Sequence, residues 1–119
     1  MSDLATLNTS RENDLVFAAI DGEVDPSNAR ILGREITSEV PNEAMGVVLD
    51  LSDVEYLDSS GVQMVFELAE RLDARQQRLA VVVPDGAPAR AVLDIVSVDA
   101  IASITSTRDE AVERLSTAP

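Results

Sequence analysis

The residues with the clearest chemical potential stand four in a row, Asp58-Ser59-Ser60-Gly61. They follow an apolar run, Val47-Val48-Leu49-Asp50-Leu51, and a short acidic stretch, and they open the next periodic segment. The pattern reads as strand, acidic loop and helix, with the serines at the mouth of the helix. A serine there has its hydroxyl in solvent, beside free backbone N–H groups and the positive end of a helix dipole. Such surroundings suit a phosphate.

Absences narrow the remaining chemistry. The chain has no histidine and no cysteine, and all nine of its basic residues are arginine. Ser-His and Cys-His nucleophilic pairs are therefore excluded, as are His- or Cys-ligated zinc, a P-loop lysine and a Schiff-base lysine. A hydrolase built on Asp and Ser has neither histidine nor lysine as base, and the motif places no second carboxylate pair. Asp50, Asp53 and Asp58 are oxygen donors without a coherent ligand loop, so no metal site is expected. No motif points to a bound cofactor.

The formal net charge is −13 over 119 residues. That field repels nucleic-acid backbones and anionic lipid surfaces. It serves solubility, and it also steers the chain toward a basic protein partner. No apolar run approaches the roughly 20 residues that a membrane-spanning helix needs. Met1-Ser2-Asp3-Leu4 lacks the basic region of a secretory leader, so a cytosolic location is expected.

The elements that must hold Ser59 follow from periodicity. The 119 residues read as one domain, with about 4–115 ordered and 116–119 a frayed tail. Leu4–Thr9 and Leu15–Ile20 read as strands joined by a turn at Arg11-Glu12-Asn13-Asp14. Gly22-Glu23-Val24-Asp25-Pro26 breaks the second strand. Asp25 is placed as N-cap and Pro26 as first residue of a helix carrying Ala29, Leu32, Ile36 and Val40. Gly46–Leu51 is a strand of the kind buried on both faces. Val62, Val65, Phe66, Ala69 and Leu72 form the apolar stripe of a helix running from Ser59 or Ser60 to about Arg75. Leu79–Val83 is a strand, Ala87–Ile95 a short helix, and Ala100–Ile104 a last strand. Thr107-x-x-Glu110 is a capping box opening a helix through Leu115. The order β-β-α-β-α-β-α-β-α predicts an α/β domain with a mixed, mostly parallel sheet of about five strands and about four helices. Functional loops in such sheets lie at the carboxyl ends of strands.

Two separated motifs carry a family resemblance. Gly22-Glu23-Val24-Asp25 is similar to the Gly-Glu-x-Asp turn of the STAS domain family. Asp50-Leu51-Ser52-x-Val54-x-Tyr56-x-Asp58-Ser59-Ser60-Gly61 resembles that family's phosphorylation-loop signature. The resemblance implies a stand-alone anti-sigma factor antagonist. Unphosphorylated, such a protein binds an anti-sigma factor that is also a serine kinase, and so frees a sigma factor. The kinase uses its own ATP and Mg²⁺ to phosphorylate the serine matching Ser59, the complex parts, and a phosphatase resets the cycle. The chain is then substrate and ligand rather than catalyst, with no cofactor of its own and an oligomeric state left open. The other reading within the family is a non-catalytic adaptor in a lipid-transport ATPase or a stress-sensing complex.

Each singled-out residue has a plain structural reading as well. Ser59 also suits a helix cap, and Asp25 is chiefly one. Asp58 either orients the serine or caps the helix, Ser60 is the alternative acceptor but chiefly structural, and Gly61 allows close packing or an unusual backbone angle. Gln63, Met64 and Glu67 are read as the exposed face of the same helix and, with Asp25, Asp58, Ser59, Ser60 and Gly61, as the partner-contact set.

Overall fold

A computed structural model describes residues 4–95 and 102–116. Among these, the order is β1 (Ala5–Glu12), β2 (Leu15–Val24), α1 (Ala29–Ser38), β3 (Gly46–Leu57), α2 (Ser59–Ala74), β4 (Arg78–Val82), α3 (Pro88–Ile95), β5 (Ser103–Thr105) and α4 (Arg108–Ser116). The strands form a single mixed sheet in the order β1-β2-β3-β4-β5. β1 pairs antiparallel with β2, and every later pairing is parallel. The α/β class and the mostly parallel sheet match the sequence expectation.

Alternation along the central strands explains the layers. Val47, Leu49 and Leu51 of β3 and Leu79 and Val81 of β4 enter the larger core, which α1, α2 and α3 cover. Val48 of β3 and Ala80 and Val82 of β4 point the other way, onto Ala111 and Leu115 of α4. Both faces are dry, which is why these strands read as continuous apolar runs. An ion pair ties α4 to the sheet: Arg108 Nε lies 2.8 Å from Asp50 Oδ2. Its guanidinium sits 5.5 Å from the centre of the Phe17 ring.

Several predicted boundaries move. β2 does not stop at Ile20 but continues to Val24, and β3 does not stop at Leu51 but continues to Leu57. The stretch expected as an acidic loop is therefore strand. Two register shifts, between Ala19 and Asp21 and between Gly22 and Glu23, let the pairing resume beyond the break. Gly22 makes this possible with φ +113, and a Cβ there would sit 2.1 Å from the Leu4 carbonyl oxygen. Buried Val54 and Leu57 supply the apolar anchors of the extension.

Helix α1 begins at Ala29, three residues after Pro26, and ends at Ser38 rather than Val40. In α2, Val62, Val65, Ala69 and Leu72 are buried as the stripe requires, joined by Met64 and Leu68, while Phe66 is only half-buried. Thr107 Oγ1 accepts from the Glu110 N–H at 3.1 Å, one half of the expected capping box. Of the expected tail 116–119, Ser116 instead closes α4, while residues 117–119, like Ala100 and Ile101 of the expected last strand, lie outside the described residues.

Candidate functional site

Ser59 stands two residues beyond the end of β3 and opens α2. The residue that caps the helix is Asp58, not Ser59. Asp58 is extended (φ −107, ψ −167), and its Oδ1 accepts from the Ser60 N–H at 2.9 Å and from the Gly61 N–H at 3.4 Å. The Ser60 hydroxyl donates to the same oxygen. These contacts place Asp58 at the N-cap and Ser59, Ser60 and Gly61 in the first turn. Hydrogen bonding from the Ser60 hydroxyl, and then from the Ser60 and Gly61 N–H groups, holds the Asp58 carboxyl below its usual value against an opposing push from burial. It is thus an anion at neutral pH.

The two serines differ sharply. Ser60 is half-buried with its hydroxyl engaged. Ser59 is exposed, and its hydroxyl makes no hydrogen bond among the described residues. Gly61 is buried with ordinary backbone angles, so close packing explains it. A Cβ there would lie 2.5 Å from Leu57 Cδ1 and 3.1 Å from Val24 Cγ1. The absent side chain lets the start of α2 sit directly on the ends of β2 and β3.

The second motif is held by a residue that the sequence reading passed over. Asn28 is 4% exposed. Its Nδ2 donates to the Glu23 carbonyl oxygen at 2.8 Å, and its Oδ1 accepts from the Asp25 N–H at 3.0 Å. Asn28 stands at the N-cap of α1 but spends its side chain on bracing the Gly22–Asp25 segment. Asp25, expected as that cap, instead accepts from the Ser27 N–H and hydroxyl at 2.8 and 2.5 Å and heads a tight turn. An Asn directly before the first periodic residue, Ala29, was the available signal.

Two further expectations change. Met64 is not an exposed contact residue: it is 4% exposed, and a Cβ on Gly33 would lie 3.1 Å from its Cγ. α1 crosses so close to α2 that the methionine becomes part of their packing. Gln63 is exposed as expected, but Glu67 is only half-buried, its Oε2 3.2 Å from Gln63 Nε2. Ser60, Gln63, Met64 and Glu67 form one wall of a groove of about 350 Å³. Pro26, Ala29 and Arg30 form the other, whereas Asp25 does not line it.

The extended ends of β2 and β3, on the way to Ser59, carry exposed acids. The extended pairing sets Asp21 opposite Asp53, and Asp21, Glu23, Asp53 and Glu55 are all exposed. Like charges facing across a sheet cost stability. Tyr56, 49% exposed, stands among them as a large aromatic surface. No group of three or more acids among the described residues is arranged to hold a metal ion.

A cavity of about 580 Å³, roomier than the groove beside Ser60, lies at the starts of β4 and β5, the opposite end of the parallel strands from Ser59. Its Arg90 is committed to Asp85, Asp94 and the Val83 carbonyl oxygen.

The profile of the STAS domain matches residues 6–111. The chain belongs to the STAS domain family. This STAS domain is 28% identical over 113 residues to BtrV of Bordetella bronchiseptica, a protein assigned as an anti-sigma factor antagonist, covering 94% of this chain and 96% of that one. Its fold is that of an anti-sigma factor antagonist from Mycobacterium paratuberculosis, with TM-score 0.84 and 24% identity over 95% of each chain. It is also that of the Bacillus cell fate determinant SpoIIAA in its phosphorylated form, with TM-score 0.66 and 18% identity over 92% of this chain and 99% of the other. Among the described residues of the STAS domain, no helix is long and apolar enough to cross a membrane.

Proposed function

We propose that this STAS domain is an anti-sigma factor antagonist whose binding is switched by phosphorylation of Ser59. The observation that carries this reading is the exposed, unengaged Ser59 hydroxyl at the first turn of a capped helix. The likeness to BtrV and to phosphorylated SpoIIAA supports it. The unmodified form binds an anti-sigma factor with serine-kinase activity and releases a sigma factor. That kinase, using its own ATP and Mg²⁺, transfers a phosphoryl group to Ser59, and a phosphatase removes it.

The local charges favour such a switch. A phosphate brings about −1.5 to −2 charges to a rim that is already acidic. Against a partner carboxylate ~7 Å away the repulsion is roughly 1–5 kcal/mol, depending on effective dielectric. Affinity falls about tenfold to thousandfold on that scale. The start of α2 stabilises the modified loop itself, so release requires no unfolding.

Intact-protein mass spectrometry after incubation with ATP, Mg²⁺ and each host serine kinase tests the reading. One phosphate on wild type and none on Ser59→Ala is the expected result. Ser59→Asp binds the anti-sigma factor more weakly than wild type; equal affinity eliminates charge as the switch. A folded protein that takes no phosphate from any kinase turns the search to stable complexes of a docking adaptor.

A further inference from the structure

Two serines stand side by side in the first turn of α2 and carry the same hydroxyl. We infer that Asp58 decides between them: its carboxylate holds the Ser60 hydroxyl out of phosphoryl transfer and leaves Ser59 as the sole acceptor. This inference rests on the proposed phosphorylation and deepens it.

The argument is geometric and electrostatic. An ionised carboxylate only accepts hydrogen bonds, so the Ser60 hydroxyl must spend its single proton on Asp58 Oδ1. In the transfer, a serine Oγ attacks the γ-phosphorus of ATP, the bond to the ADP oxygen breaks, and the hydroxyl proton passes to a base on the kinase. At Ser60 that proton is already held within the chain. Asp58 makes a poor substitute base, because its carboxyl lies below its usual value and far from the operating pH. The product is disfavoured as well. A phosphate on Ser60 Oγ replaces the one proton between that oxygen and the carboxylate with a dianion in contact with an anion. It also breaks the cap that Asp58 supplies to the Ser60 and Gly61 N–H groups. Ser59 meets neither obstacle, being exposed and unengaged.

The test compares four full-length proteins, wild type, Ser59→Ala, Ser59→Ala with Asp58→Asn, and Ser59→Ala with Asp58→Ala. Each is incubated with ATP, Mg²⁺ and the kinase that acts on wild type, and the phosphates are located by fragmentation mass spectrometry. Asparagine retains the cap acceptor without the charge, so that variant keeps α2 intact, as far-ultraviolet circular dichroism checks. Wild type should carry phosphate on Ser59 alone, and Ser59→Ala none. Both double variants should acquire it on Ser60, at least about tenfold faster than Ser59→Ala. Ser60 phosphorylation of Ser59→Ala at the wild-type rate overturns the role of Asp58 while leaving the switch standing. Double variants as inert as Ser59→Ala overturn it too. Absence of phosphate on wild type with every host kinase overturns the switch and this inference together.

Discussion

The starts of α1 and α2 lie at the same end of the sheet, each just beyond a parallel strand, and they are built in opposite ways. At α1 the N-cap position holds Asn28, which turns its amide back onto Glu23 and Asp25 and leaves the helix without a side-chain cap. At α2 the N-cap Asp58 turns forward and takes the first-turn donors. The first arrangement spends its polar side chain on bracing a strand end. The second leaves the strand to its apolar anchors and places an exposed hydroxyl on a rigid, capped turn. A buried brace beside an exposed hydroxyl is a division of labour: one helix start fixes the rim and the other presents the group whose modification is proposed.

The sharpest way to break this contrast is at the brace. Asn28→Ala leaves the Glu23 carbonyl and the Asp25 N–H without their partner in a half-buried setting, at a cost of about 1–3 kcal/mol. Chemical denaturation should show that loss, and Asn28→Asp should share it, because the donor to Glu23 is gone. At α2, Asp58→Ala removes the cap and should cost about 1 kcal/mol by the same measurement. If Asp58→Ala proves costlier than Asn28→Ala, the assignment of brace and presenter is reversed. Ser59→Ala touches no hydrogen bond and should stay within about 0.5 kcal/mol of wild type.

Acid sharpens the comparison further. Asp58 is held low by the Ser60 hydroxyl. Asp50 is pushed up by burial but is brought below its usual value overall by hydrogen bonds from Ser52 and Arg108. A carboxyl whose pKa falls on folding contributes stability that is complete above its unfolded value, near 3.8, and lost as pH drops through the folded value. Denaturation midpoints should therefore decline below that pH. Asp58→Asn should make the decline shallower, and Asp50 should keep it from vanishing. An unchanged acid limb in Asp58→Asn would show that the Ser60 contact does not favour the carboxylate.

The sheet and its helices were legible because burial on two faces writes continuous apolar runs, and burial of one helix face writes a stripe. Val47–Leu51 and Val62–Leu72 carry those signals in types and spacing alone. The rim was less legible. Asp21, Glu23, Asp53 and Glu55 are the composition of a loop, yet they sit on paired strands. What holds them there is Gly22, Val54 and Leu57, whose effect depends on a neighbour distant in sequence. Met64 misled for a similar reason: its exposure was decided by the approach of α1 at Gly33.

From the sequence alone came the α/β order, the place of Asp58-Ser59-Ser60-Gly61 at a strand-to-helix junction, and the exclusion of histidine, cysteine and lysine chemistry. Residue type and local period settle such matters. Only the tertiary structure decided that Asp58 rather than Ser59 caps α2, that Asn28 rather than Asp25 stands at the start of α1, and that Ser60 is engaged while Ser59 is free. Each of these is a choice among several polar groups for a few partners. Such choices are made by distance and direction, which the order of residues does not contain.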